Sequence, residues 1–158
     1  MLAARRTTIA RLSPPLMHRT SGLVAALFDM RLRAMRRNRA ARIGPELFLY
    51  QRVFEDCLER IALAQRRFEQ ALLIGCPDPQ WPLRLSELAA KVDVRDPGPM
   101  FASRARGAAI VEDAWAPSTA AYDLVLAVGT LDTVNDLPLA LQLVRRAITA
   151  GEIGRAHV

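Results

Sequence analysis

The segment Ala71-Leu72-Leu73-Ile74-Gly75-Cys76-Pro77-Asp78-Pro79 changes the rhythm of the chain. Upstream, apolar residues recur every three or four positions. Here they run unbroken into Gly75, which predicts a buried strand over 71–74 and a turn after it. Downstream, the two patterns alternate. A helix is expected over 82–90, with Leu83, Leu85 and Leu88 for burial, then a strand at 92–94 and a short helix at 99–105. A third strand follows at 108–111, and 122–128 is the clearest strand of all, rich in apolar residues other than alanine. Asn135 or Asp136 then N-caps a helix over 137–149, whose apolar face holds Leu139, Leu141, Leu143, Val144 and Ile148. Strands alternating with helices at this spacing imply βαβ crossovers and a parallel sheet, an α/β fold.

Before this region the pattern is helical. Residues 23–42 carry Arg31, Arg33, Arg36, Arg37, Arg39 and Arg42. Gly44-Pro45 breaks that helix, glycine suiting a helix end and proline the next first turn. A second helix over 45–68 follows, with a stripe of Leu47, Tyr50, Phe54, Leu58, Ile61 and Ala64. Cys57 lies beside the stripe and reads as a small core residue. Residues 1–28 hold four arginines and no acid before Asp29, as mitochondrial transit peptides do. The simpler reading is a frayed extension, with Met17 or Met30 as alternative starts.

Composition narrows the classes. With 158 residues, 51% hydrophobic and 24% charged, the chain is a globular polypeptide of about one domain. Its longest apolar runs, such as 23–28, fall far short of the roughly 20 residues that span a bilayer. Cys57 and Cys76 make neither a disulfide scaffold nor a zinc site, and His18 and His157 lie near opposite ends, which disfavours a histidine triad. The net charge of +6 is lopsided: residues 1–70 hold 14 arginines against 6 acids. Such asymmetry suits nucleic acid or a membrane surface, although GC-rich codon usage gives the same composition.

Ligands of open parallel sheets bind beyond the C-terminal ends of the strands, so the loops after 74, 94, 111 and 128 are where to look. Gly75 and Cys76 form the first. Asp96 is placed to accept from ribose hydroxyls, or equally to cap the next helix. Glu112 and Asp113 suit an adenine edge, or are solvated loop acids. Trp115 suits a base cover, or packing.

Leu27-Phe28-Asp29, the arginine helix, Leu72-Leu73-Ile74-Gly75-Cys76, Asp96-Pro97-Gly98-Pro99 and Tyr122-Asp123-Leu124-Val125-Leu126 occur in the order seen in class I S-adenosylmethionine-dependent methyltransferases. The chain resembles the branch with malonyl-carrier methyltransferases and a complex I assembly factor. Val134-Asn135-Asp136-Leu137-Pro138 is the most specific local signature. The resemblance implies a Rossmann-like methyltransferase fold, S-adenosylmethionine as cofactor and methyl donor, and cofactor contacts at Gly75, Cys76, Asp96, Glu112 and Asp113. It also implies a protein or carrier-protein substrate, which disfavours a nucleic-acid partner; the short apolar runs give no membrane partner. The expected location is the cytoplasm, or else the mitochondrial matrix.

The chain departs from the family at the first loop. Leu73 replaces an acid that helps hold the methionine ammonium, and Pro77 and Pro79 stand where glycines are usual. Proline fixes φ and removes an N–H, so this loop is expected not to take the family's path. Asp132-Thr133 stand where the branch often carries His-Trp.

About four strands are legible where the family has seven, and the final peptide Glu152-Ile153-Gly154-Arg155-Ala156-His157-Val158 is what a common sequencing adapter encodes. The expectation is therefore a C-terminally truncated member. Its parts are an extension at 1–26, a helical cap at 27–68, a partial methyltransferase domain at 69–151 and a non-native tail at 152–158. In that reading 122–128 becomes a sheet edge. A non-catalytic assembly module and an arginine-rich nucleic-acid binder are the alternative functions.

Overall fold

The computed structural model describes residues 26–157. Residues 1–25 of the expected extension, with the alternative start at Met17, fall outside the described residues. Helices α1 (Met30–Ile43) and α2 (Phe48–Ala62) lead into β1 (Phe68–Ile74), α3 (Trp81–Leu85), β2 (Ala89–Asp96), α4 (Pro99–Arg104), β3 (Ala108–Ala109), β4 (Tyr122–Val128), a 3-10 turn (Leu131–Thr133), α5 (Leu137–Ala147) and β5 (Ile148–His157). The strands form one sheet in the order β3-β2-β1-β4-β5. Every neighbouring pair is parallel. The chain starts in the middle, runs outward through β2 and β3, and returns to the other side of β1. The switch point therefore lies between β1 and β4, where such sheets bind ligands.

Residues 71–74 of β1 and 124–128 of β4 are apolar without alternation because both of their faces are covered. Ala71 and Leu73 pack with Leu124, Leu126 and Val128 beneath α2 and α3, where Phe54, Cys57, Ile61, Trp81 and Leu85 close the layer. Leu72 and Ile74 point the other way, with Val125 and Ala127, towards Ala140 and Ala147 of α5. Phe54 and Trp81 stack with ring centroids 4.3 Å apart and planes 2° from parallel. The Trp81 indole N–H donates to Gln51 Oε1, so its polar edge is satisfied within the core.

Several expected boundaries move. The helix expected at 82–90 keeps only Trp81–Leu85, because residues 89–96 pair with β1 as a strand. Ala89, Lys91, Asp93 and Arg95 hid that strand: β3 covers only Arg95 and Asp96, so most of the outer edge of β2 is free to carry polar residues. The helix expected to reach 149 ends at Ala147, and Ile148 is already extended. Five strands stand where about four were expected, and β4 is not an edge. Residues 153–157, expected as a non-native tail, run beside it in register from Leu124↔Ile153 to Val128↔His157.

α1 is attached differently from every other helix. Ala41 is its one buried residue. Asp29 caps its start by accepting from the Arg31 and Leu32 amides. Polar contacts then hold it to the rest of the chain. Among the described residues no helix is long and apolar enough to cross a membrane.

Candidate crevice at the strand ends

Asp96 ends β2 and is fully buried. Its carboxylate accepts from four donors: Arg37 Nε at 2.9 Å, Arg37 Nη2 at 2.6 Å, the Cys76 amide at 2.7 Å and the Gly98 amide at 2.6 Å. That uses the capacity of an ionised carboxylate. The Cys76 contact closes β1 onto β2, and the Gly98 contact closes the turn into α4. A side chain at Gly98 would meet Arg37 Cβ at 2.7 Å, so glycine there lets α1 lie close.

Glu112, in the loop after β3, is 1% exposed and makes a second bidentate pair: Arg33 Nη1 to Oε2 at 2.7 Å and Nη2 to Oε1 at 2.8 Å. Arg33 also donates to the Thr130 carbonyl beyond β4. Arg33 and Arg37 stand one turn apart on the same helix face. Together they bridge the ends of β2, β3 and β4.

Both ends of α1 are tethered. The Phe28 amide donates to Asn135 Oδ1 at 2.8 Å, and Asn135 Nδ2 donates to the Phe28 carbonyl at 3.0 Å. At the other end, Asn38 Oδ1 accepts from the Met100 amide and Arg104 donates to the Ala41 carbonyl.

Gly75 has φ +84°, and a Cβ there would strike the Val128 carbonyl and the Thr130 methyl. Pro77 follows it and is buried. Burial, followed by the charges of Asp96 and Asp78, pushes the Cys76 thiol up to about 12, so it is no thiolate nucleophile near neutral pH. Tyr50 of α2 lies against Gly129. A cavity of about 500 Å³ opens beside these groups, lined by Phe28, Arg33, Arg36, Tyr50, Gly129 and Asp132 among others.

Of the five expected contact residues, Gly75, Cys76 and Asp96 meet directly. Glu112 joins them through Arg33, while Asp113 serves elsewhere: its Oδ2 accepts from the Asn135 and Asp136 amides and fixes the entry to α5. Asp96 does not cap α4; Gly98 holds that position without a side-chain bond. Trp115 packs against the core on the α5 face. Sequence reasoning had the arginine helix but not which arginines turn inward. Their spacing of four, opposite two loop acids, was the available signal.

No family model matches the chain, and no curated protein does. Solved structures do. Over 68% of this chain and 61% of the other, it superposes on the N-methyltransferase NodS of Bradyrhizobium japonicum in complex with S-adenosyl-L-homocysteine, at TM-score 0.57 and 17% identity. A complex of the Haloferax volcanii Trm112 methyltransferase activator with a candidate methyltransferase gives TM-score 0.64 at 14% identity, over 76% of this chain and 58% of the other. An S-adenosylmethionine-dependent methyltransferase of Mesorhizobium loti gives TM-score 0.50 at 19% identity, over 58% and 46%.

The fold is that of the Rossmann-like methyltransferases. The chain spans less than two thirds of the length of each of these structures.

In a methyltransferase fold the crevice at the switch point is the place to test for an S-adenosyl nucleoside. With α1 docked, the residues do not fit one. Asp96 has no acceptor left for ribose hydroxyls, Glu112 is closed by Arg33, and Pro77 and Pro79 bring no amide donors to the loop.

Proposed function

We propose that the chain is an S-adenosylmethionine-dependent methyltransferase-like protein with a degenerate cofactor loop. Its ligand would be a small-molecule methyl donor, and a protein or carrier protein its acceptor. One observation carries this reading: a buried carboxylate, Asp96, ends β2 and takes the amide of Cys76 just beyond Gly75 at φ +84°. Those parts occupy the switch point of a parallel sheet, where nucleoside-binding folds place a ribose acceptor.

Titration calorimetry of the intact chain with S-adenosylhomocysteine tests it. Saturable binding that Asp96→Asn abolishes, with the circular dichroism of the variant unchanged, supports the reading. The absence of binding at millimolar ligand, both by the intact chain and by an Asn135→Ala variant whose α1 tether is weakened, overturns it.

A second reading is favoured by one observation, the closure of both acids by Arg33 and Arg37. In it the chain keeps the fold as a non-catalytic assembly or interaction module. That closure also spends two arginines internally, which argues against a simple phosphate-binding helix.

A further inference from the structure

The two arginine bridges have a consequence beyond architecture. α1 offers the sheet almost no apolar surface: Ala41 is its single buried residue, while Met35 and Ile43 are 63% and 74% exposed. What holds it are the Arg33–Glu112 and Arg37–Asp96 pairs, the Phe28–Asn135 exchange, and the contacts of Asn38 and Ala41 with α4. The carboxylates it grips are the acids at the ends of β2 and β3. A ribose diol approaching Asp96 needs the lone pairs that Arg37 now occupies, so both cannot be satisfied at once.

We infer that α1 is a latch on the crevice: its docked state and the binding of an S-adenosyl nucleoside are mutually exclusive. The inference rests on the nucleoside reading above. Docked, the helix leaves the chain closed to nucleosides. When α1 leaves, Arg33 and Arg37 return to water, and Asp96 keeps two backbone donors, from Cys76 and Gly98, that hold its carboxylate in place. The fraction of open chains then sets the apparent affinity, since a ligand that binds only the open state is weakened by that fraction.

The opposite arrangement is a helix that closes over bound nucleoside, and the two differ in sign. Hydrogen exchange of the α1 amides, residues 30–43, is followed in the intact chain with and without S-adenosylhomocysteine. The latch predicts faster exchange in α1 when the nucleoside is bound. Slower exchange overturns the latch and leaves the nucleoside reading standing.

A variant supplies a second test. Asn135→Ala removes the two bonds to Phe28 without touching the acids of the crevice, and the latch predicts S-adenosylhomocysteine binding on the order of tenfold tighter, the equivalent of one to two net hydrogen bonds. Equal or weaker binding by a folded Asn135→Ala chain counts against the latch. If neither the intact chain nor the variant binds at millimolar ligand, the nucleoside reading fails and the latch falls with it.

Discussion

Arg37 and Asp96 stand 59 residues apart in sequence and meet in a two-pronged ion pair, Nε to Oδ1 at 2.9 Å and Nη2 to Oδ2 at 2.6 Å. The carboxylate is completely buried, while the arginine side chain keeps 18% of its surface in water. Removing one partner of such a pair costs more than the pair contributes, because a desolvated charge is left behind.

Arg37→Ala is therefore expected to cost about 2–4 kcal/mol, and Arg33→Ala a similar amount. The loss is bounded by the docking energy of α1, since Asp96 and Glu112 regain water if the helix detaches. Arg36 stands between them, exposed and making no ion pair among the described residues, so Arg36→Ala should stay within about 0.5 kcal/mol of the parent. Urea denaturation of the three variants checks the contrast.

Gly75→Ala should be among the most damaging single substitutions. Its φ of +84° disfavours any side chain, and the added methyl would meet Thr130 Cγ2 at 2.6 Å as well as the Val128 carbonyl. The Val128 carbonyl belongs to the paired backbone of β4 and cannot swing aside, so a loss of roughly 3 kcal/mol or more is expected from strain and overpacking. A thermal melt of the purified variant reads it.

The stack of Phe54 on Trp81 pins α2 to α3 across the first core layer. Trp81→Ala is expected to cost about 3–5 kcal/mol as a buried aromatic truncation. It also leaves Gln51 Oε1 without its indole donor. Chemical denaturation followed by far-ultraviolet circular dichroism measures the cost.

Alkaline pH should weaken the fold in a defined window. The Cys76 thiol is pushed up to about 12 by burial and by Asp96 and Asp78. Tyr122 is pushed up to about 12 by burial and by its bond to Asp93. Both groups hold their protons more tightly folded than unfolded. Their stabilisation is complete below the unfolded pKa values, about 9 for the thiol and 10 for the phenol, and is lost as pH rises to 12. Stability should fall steadily across that window. At pH 8 a disulfide thiol reagent should find no fast-reacting cysteine in the native chain, since both are buried, and two after unfolding.

Where the sequence was legible, hydrophobic patterning was the reason. The strand at Tyr122–Val128 is legible because both faces are buried over its last five residues, which are all apolar. The α5 cap at Asp136 was readable from the turn residues before an apolar helix, and the Asp136 side chain does accept from the Leu139 amide. β2 was half hidden because one of its edges is nearly free, which lets Lys91, Asp93 and Arg95 break the apolar signal. β5 was missed because Gly151, Glu152, Gly154 and Arg155 carry no strand pattern; pairing with β4 overrides local preference there.

In the crevice, chemistry and spacing identified the acids but not their partners. Asp96 and Glu112 are acids at strand ends in any α/β reading. That Arg33 and Arg37 turn onto them follows from the placement of α1, which a helix with so little apolar face does not announce. The Phe28–Asn135 exchange joins two segments that had each been singled out separately, and only the tertiary structure shows them in contact.

A double-mutant cycle between Arg37→Ala and Asp96→Asn, read by urea denaturation of the intact chain, tests the central claim most directly. The account predicts a coupling energy of about 2 kcal/mol or more, because each residue is the other's charge partner at the closed crevice. Single-variant losses that add to within about 0.5 kcal/mol would contradict it, and α1 would then not be held on the strand ends by this pair.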